Sequence, residues 1–247
     1  NKVAKKLNIT PYMLMLSCYY ILLSKYTSQD DIVVGTPIIG RELPELSNVL
    51  GMFVNTLALT NKLSNTLSFE KFSNNVKEYC LNCFKNQNYP FDLLVKDLEL
   101  KKDTSRTPLF DTMFIYQNNG NPKVNFGNLN ATYYVPDSKI SKFDLTFSAM
   151  EVSNGIEISI DYSTELFERK KIDNLTKHLE KFLEKTVENP NAAIDRIEIL
   201  TEEEWNTITT NISITAFMQG LQIGFKTYNS YVTVTNTENN DYSTKQN

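Results

Sequence analysis

Cysteine, histidine and tryptophan are scarce in this chain: three, one and one among 247 residues. Three thiols cannot all pair with one another, and nothing marks an oxidising compartment. The chain therefore reads as a cytoplasmic protein with reduced thiols and no structural disulfide. A long apolar run is also missing. The longest, residues 12–23, falls well short of the roughly 20 residues a membrane-spanning helix needs, and it lacks the flanks of a secretion signal. Nor is there an excess of positive charge. A net charge of −4 and an isoelectric point near 5.2 give no general attraction to nucleic acid or to anionic membrane, so neither is expected as a partner. The glycines at 35, 40 and 51 are too scattered to cradle a phosphate, and no internal repeat is evident.

What is present is ordinary globular material. Hydrophobic residues make up 41% and charged residues 22%, which argues against wholesale disorder. The chain is long enough to bury one sizeable core. Thr10-Pro11 places a capping hydroxyl before a proline suited to a first helical turn, and residues up to 25 read as a helix buried on most sides. Strands are expected over 31–39 and 52–59, the first running into a loop at Pro37 and Gly40. From 67 to 85 the apolar residues Phe69, Phe72, Val76, Tyr79, Cys80, Cys83 and Phe84 recur at helical steps. Pro90 stops or restarts that helix, and 91–98 is expected to form a short second one. Residues 109–116 read as a strand. Phe143, Leu145 and Phe147, then Ile156, Ile158 and Ile160, alternate with polar residues on either side of Ser153-Asn154-Gly155, the pattern of an antiparallel hairpin. Ile172, Leu175, Leu179 and Phe182 define a last amphipathic helix ending near Asn189-Pro190. The order is mixed α/β, a sheet covered by helices in two layers. Residues 206–247, rich in Asn and Thr, form an atypical tail, either partly disordered or a small β extension.

Candidate chemistry outside the motifs is thin. Cys80 and Cys83 have the spacing of half a zinc site, yet both fall on the apolar stripe of a helix and no second Cys/His pair completes four ligands, so core packing is the preferred reading and no metal is proposed. His178 has no acid or nucleophile near it in sequence and is expected at an exposed or boundary position. Glu202-Glu203-Glu204 reads as a solvated charge run.

Three stretches carry far more information: Leu50-Gly51-Met52-Phe53-Val54-Asn55-Thr56, Asn86-Gln87-Asn88-Tyr89-Pro90-Phe91-Asp92, and Lys102-Asp103-Thr104-Ser105-Arg106-Thr107-Pro108-Leu109. In this order they resemble the last three motifs of the condensation domain of nonribosomal peptide synthetases. Residues 31–41 and Ser141-Lys142-Phe143-Asp144-Leu145 are similar to segments flanking those motifs, and the register runs from about Lys6 to about Glu204. One departure stands out. The second motif usually opens His-Gln-Asp, and here it opens Asn86-Gln87-Asn88. The intact Phe53-Val54-Asn55-Thr56 is similar to the peptide-bond-forming subtype.

The resemblance implies a chloramphenicol acetyltransferase-like half domain, residues 1–205, corresponding to the C-terminal lobe. The family's HHxxxDG signature is absent, so no catalytic residue is assigned and the isolated chain is expected to be inactive. It further implies that Asn55, Thr56 and Gly51 line a substrate tunnel, with Asn55 bonding its own backbone at a strand end as the alternative. Gly40 and Arg41 would lie on a loop facing the other lobe. Pro90, Phe91, Arg106 and Pro108 would be structural, Arg106 anchoring a loop with its fork of five donors. At the position of the acetyltransferase oxyanion serine the match is Ile39, which cannot donate. No cofactor is expected to bind directly, since substrates ride on phosphopantetheine arms. The implied partners are the N-terminal lobe, peptidyl carrier proteins and an adjacent adenylation domain. The alternative is a non-catalytic carrier-protein-binding scaffold.

Overall fold

A computed structural model describes residues 1–100, 106–118, 140–152, 155–219, 221–224 and 233–236, with side chains through residue 210. The third motif's first four residues and the turn at Ser153-Asn154 lie outside the described residues.

After a short helix α1 (Lys2–Lys6), the chain enters α2 (Pro11–Thr27). The Thr10 hydroxyl accepts from the Met13 amide at 3.2 Å, and Pro11 occupies the first turn, where its missing N–H costs nothing. Ser28 ends the helix in the left-handed region at φ 57°. Apolar residues surround this helix on nearly every side, and it runs through the centre of the core, as its sequence requires. Tyr19, Leu16, Cys18 and Ile21 are wholly buried. Each such side chain contributes on the order of 1.5–3 kcal/mol of burial free energy. The two phenols are not left unpaired: Tyr19 Oη meets the Thr112 hydroxyl and Tyr20 Oη donates to the Leu59 carbonyl at 2.8 Å.

Five strands form one mixed sheet in the order β2-β1-β3-β4-β5, comprising β1 (Asp31–Ile38), β2 (Asn55–Lys62), β3 (Thr112–Gln117), β4 (Leu145–Val152) and β5 (Gly155–Tyr162). β1/β2 and β4/β5 are antiparallel, with Asp31 opposite Lys62 and Leu145 opposite Tyr162. β3 lies between them, parallel to both β1 and β4. Phe114 and Phe147 stack on adjacent strands with centroids 5.6 Å apart, and Tyr19 of α2 closes on Phe147 at 4.9 Å. This cluster joins helix layer to sheet.

Two longer helices, α3 (Phe69–Lys85) and α5 (Arg169–Glu188), complete that layer. In α3 the Ser68 hydroxyl caps the start, and Phe69, Phe72, Val76 and Cys80 form the buried stripe. Cys80 is thus core, and burial pushes its thiol up to about 12. α4 (Phe91–Asp97) follows after Pro90, and α5 buries Ile172, Leu175, Leu179 and Phe182. Phe182 meets Phe69 edge-on at 6.1 Å.

Several expectations need correction. β2 starts at Asn55, not Met52, because residues 40–53 are folded into a loop described below. α5 is not the last helix: α6 (Glu202–Gln219) follows it, and then a hairpin of β6 (Leu221–Gly224) and β7 (Thr233–Asn236). His178 is not at an exposed or boundary position but 6% exposed. Glu204 is not part of a solvated run. Its carboxylate accepts from His178 Nε2 at 2.7 Å and from the Thr201 amide and hydroxyl at 2.9 Å each. The reason is tertiary: α6 folds back so that a residue distant in sequence meets the histidine.

Candidate functional site

Gly40 leaves β1 with φ +66°, and a Cβ there would lie 2.0 Å from the Phe53 carbonyl oxygen. Only glycine permits both the turn and the contact. The next residue, Arg41, then folds its own loop. Its guanidinium donates to the carbonyls of Leu46, Val49 (2.8 Å) and Gly51 (3.3 Å), and its carbon lies 4.2 Å above the centre of the Phe53 ring. A planar fork of donors suits this task, gathering three loop carbonyls, of which Leu46's also accepts from the Val49 amide at 3.2 Å. The loop so formed turns apolar side chains outward, with Leu50 98% and Met52 88% exposed. Ile39 is exposed as well.

Asn55 opens β2 and ties the first motif to the second. Its Nδ2 donates to the carbonyls of Gln87 at 2.8 Å and Tyr89 at 2.9 Å. Its Oδ1 accepts from its neighbour Thr56 N at 2.9 Å and from Phe91 N at 3.3 Å. Pro90 stands at the N-cap of α4 without a side-chain acceptor, so Asn55 supplies the acceptor for the first helical amide from across the fold. Both hydrogens and the oxygen of the amide are engaged with backbone. The self-bonding alternative accounts for only one of these contacts.

A second tie runs parallel. Glu42 accepts from Gln87 Nε2 and, at 2.7 Å, from Asn88 Nδ2. The departure at the head of the second motif gains a physical sense here: an amide at 88 donates to Glu42, where an aspartate would repel it. Asn86 caps its own helix end, donating to the Asn82 carbonyl at 2.9 Å.

The third motif joins through a residue that sequence reasoning missed. Leu109 takes φ +73°, an unfavourable conformation for a branched side chain, costing on the order of 1–2 kcal/mol. It delivers the Phe110 ring into a slot between Phe91 (5.6 Å) and Phe143 (5.6 Å). A Cβ on Gly35 of β1 would fall 2.3 Å from that ring. Gly35 is therefore a packing glycine, and the aromatic residue directly after Thr107-Pro108-Leu109 was the signal that could have found this hub. Pro108 itself is exposed. Arg106 pairs with Asp111 at 3.7 Å, with both side chains largely in solvent.

The structure thus brings Gly40, Arg41, Gly51, Asn55, Thr56, Pro90 and Phe91 into one surface, with Phe110 behind it. An open cavity of about 400 Å³, lined by Lys181, Glu198, Leu200, Glu202, Trp205 and Asn206, shares no residue with the three motifs. No group of three or more His, Cys, Asp or Glu side chains suited to a metal exists among the described residues, and none of the described helices is long and apolar enough to cross a membrane.

A family model for the condensation domain matches residues 1–209. Gramicidin S synthase 2 of Brevibacillus brevis is 46% identical over 203 residues, covering 82% of this chain and 5% of that protein. Surfactin synthase subunit 1 of Bacillus subtilis (strain 168) is 45% identical over 206 residues, covering 83% and 6%. The chain therefore spans only about one-twentieth of the length of these relatives. Among solved structures, a four-domain nonribosomal peptide synthetase bound to AMP and glycine superposes with a TM-score of 0.75 at 25% identity, covering 81% of this chain and 16% of that one. The X-domain from teicoplanin biosynthesis shares the fold at a TM-score of 0.73 and 22% identity, covering 81% and 46%. With motifs, sheet topology and sequence match in agreement over the same residues, the chain belongs to the condensation-domain family of nonribosomal peptide synthetases.

Proposed function

We propose that residues 1–205 are the C-terminal lobe of a condensation domain, one wall of a channel completed by an N-terminal lobe bearing HHxxxDG, with residues 206–247 an appended segment. In the joined domain the amine nitrogen of a carrier-bound aminoacyl acceptor attacks the carbonyl of a carrier-bound aminoacyl or peptidyl thioester. The C–N bond forms, the C–S bond breaks, and the amine proton leaves for the thiol of the donor's phosphopantetheine arm. The imidazole of the other lobe handles that proton. This chain contributes alignment, which in favourable cases is worth roughly 7–11 kcal/mol. Gly51, Asn55 and Thr56 lie along the wall, and the Gly40-Arg41 loop faces the other lobe with Leu50 and Met52. The working partners are two carrier proteins and an adjacent adenylation domain, in the cytoplasm.

The observation that carries this reading is the binding of the first motif to the second through Asn55. Four contacts to backbone fix a surface that does not depend on any ligand. The proportion of matched chain supports it too, since the fold accounts for 46% of the X-domain structure.

A second reading, a carrier-binding scaffold without catalysis, is favoured by the histidine. His178, the sole imidazole of the sequence, is held between Tyr26 and Glu204 and is not free to act as a base. One experiment separates the two. The chain is fused to a condensation-domain N-terminal lobe bearing HHxxxDG and supplied with loaded donor and acceptor carrier proteins. Peptide on the acceptor carrier from the fusion, and none from the chain alone, is expected. A folded fusion that binds carriers without turnover selects the scaffold, and turnover by the chain alone overturns the half-site reading. Acyl-coenzyme A is expected to give no product with the isolated chain.

A further inference from the structure

Apolar anchoring of the C-terminal part of the lobe ends early. Ile194 and Ile197 are buried and Ile199 packs against the core, but none of the side chains of residues 202–210 is buried, and Trp205 and Ile208 are 46% and 38% exposed. No fully buried side chain, the usual anchor of a surface helix, therefore secures residues 202–210. Polar contacts take its place.

They converge on one carboxylate. Glu204 Oε2 accepts from His178 Nε2, the Thr201 amide and the Thr201 hydroxyl, while Oε1 accepts from Asn174 Nδ2 at 3.1 Å. The Glu204 amide in turn donates to Thr201 Oγ1 at 3.3 Å. Thr201 and Glu204 thus make a reciprocal capping box, which starts the helix. The same carboxylate reaches two side chains of α5, which docks it. His178 is itself fixed from the far side by the Tyr26 hydroxyl of α2, 2.7 Å from Nδ1. An imidazole with Nε2–H toward Glu204 and Nδ1 accepting from the Tyr26 hydroxyl satisfies every polar atom of the trio. Just upstream, Lys181 Nζ donates to the Leu200 carbonyl.

We infer that Tyr26, His178 and Glu204 form a conformational latch, in which the contact that docks α6 on the lobe is the contact that caps its first turn. Initiation and attachment of α6 are then one event. Opening the latch frees the segment from Thr201 onward while the core, anchored through Ile197, stays folded. The direction in which α6 starts from the lobe is set by this latch. The inference does not depend on which reaction the family fold supports here.

Amide hydrogen exchange on the full chain tests it, comparing wild type with His178→Gln, Tyr26→Phe and Glu204→Gln. Glutamine at 204 keeps a capping oxygen and loses the charge. His178→Gln and Glu204→Gln are expected to speed exchange in residues 203–209 at least tenfold, and Tyr26→Phe by a smaller factor, with Leu16–Leu22 unchanged in all three. Unchanged protection at 203–209 would overturn the latch. So would equal loss of protection in α2, which would make these residues ordinary core supports. Tyr26→Phe, altering a half-exposed side chain, keeps the test decisive if His178→Gln fails to fold.

Discussion

The Phe110 ring occupies the space in which a side chain at position 35 would stand, with its Cε2 2.3 Å from where a Cβ on Gly35 would be. The ring cannot retreat, because Phe91 and Phe143 hold it from other sides. Gly35→Ala is therefore expected to destabilise the fold by about 1–3 kcal/mol, the usual cost of overpacking. Phe110→Leu in the same chain should recover part of that loss. Urea unfolding of the two single variants and the double variant measures the coupling, and strict additivity would argue against the contact.

Asn55 offers a second test. Truncation to Ala removes four hydrogen bonds to backbone, and with the site partly in solvent the expected loss is about 1–3 kcal/mol. Asn55→Asp keeps the acceptor but turns an anionic oxygen toward the Gln87 and Tyr89 carbonyls, so it should be no milder than Ala. The Phe91 amide, capped only by Asn55 Oδ1 among the contacts described, should exchange faster in both variants.

Arg41→Lys should behave nearly like Arg41→Ala. An ammonium cannot span three carbonyls while lying flat over Phe53. Limited proteolysis should cut within residues 42–52 in both variants and not in wild type. The global unfolding midpoint should move little, because this loop buries no large side chain.

Glu204 sets an acid limb. Burial raises its pKa, but hydrogen bonds from His178 and from the amide and hydroxyl of Thr201 outweigh that and hold it down to about 2. The folded-state value lies below the unfolded one, so the stabilising contribution is complete above about 4.5 and is lost as pH falls toward 2. Glu204→Gln should flatten that part of the stability profile, measured by urea unfolding from pH 5 down to pH 2, on the order of three units. A mutant curve parallel to wild type would contradict the assignment.

Arg106→Ala should cost less than about 1 kcal/mol, since its ion pair with Asp111 is long and largely solvated. Thermal melting decides it.

How much of this was readable beforehand follows the distance over which each contact acts. Helices α2, α3 and α5 were legible because their apolar residues recur along their own segments, and the β4-β5 hairpin because alternation and turn are adjacent. Asn55 was legible as a site residue but not as a bracket. Its partners lie more than thirty positions away, at Gln87, Tyr89 and Phe91. Gly35 looked like one glycine among several until Phe110 was seen against it. His178 was misread because its partners Tyr26 and Glu204 lie on other helices, and polar pairing across helices leaves no period in a sequence. Glu204 did have a local signal, the Thr201-x-x-Glu204 spacing of a capping box, which the reading as a charge run passed over. The start of β2 was placed three residues early because Phe53 and Val54 look like strand residues, whereas Arg41 holds the preceding backbone in a loop.

The order of the strands carries a kinetic consequence. β1-β2 and β4-β5 are local ribbons able to close by themselves, but β3 belongs between them and is parallel to both. Until it is threaded into place, each ribbon exposes a bare edge and half of the aromatic cluster has no surface to settle on. Because its partners lie far away in sequence, insertion of this one strand is expected to be the slow step by which the two halves of the sheet become a single body, and a refolding trace should show it as the phase in which the Tyr19 environment becomes native.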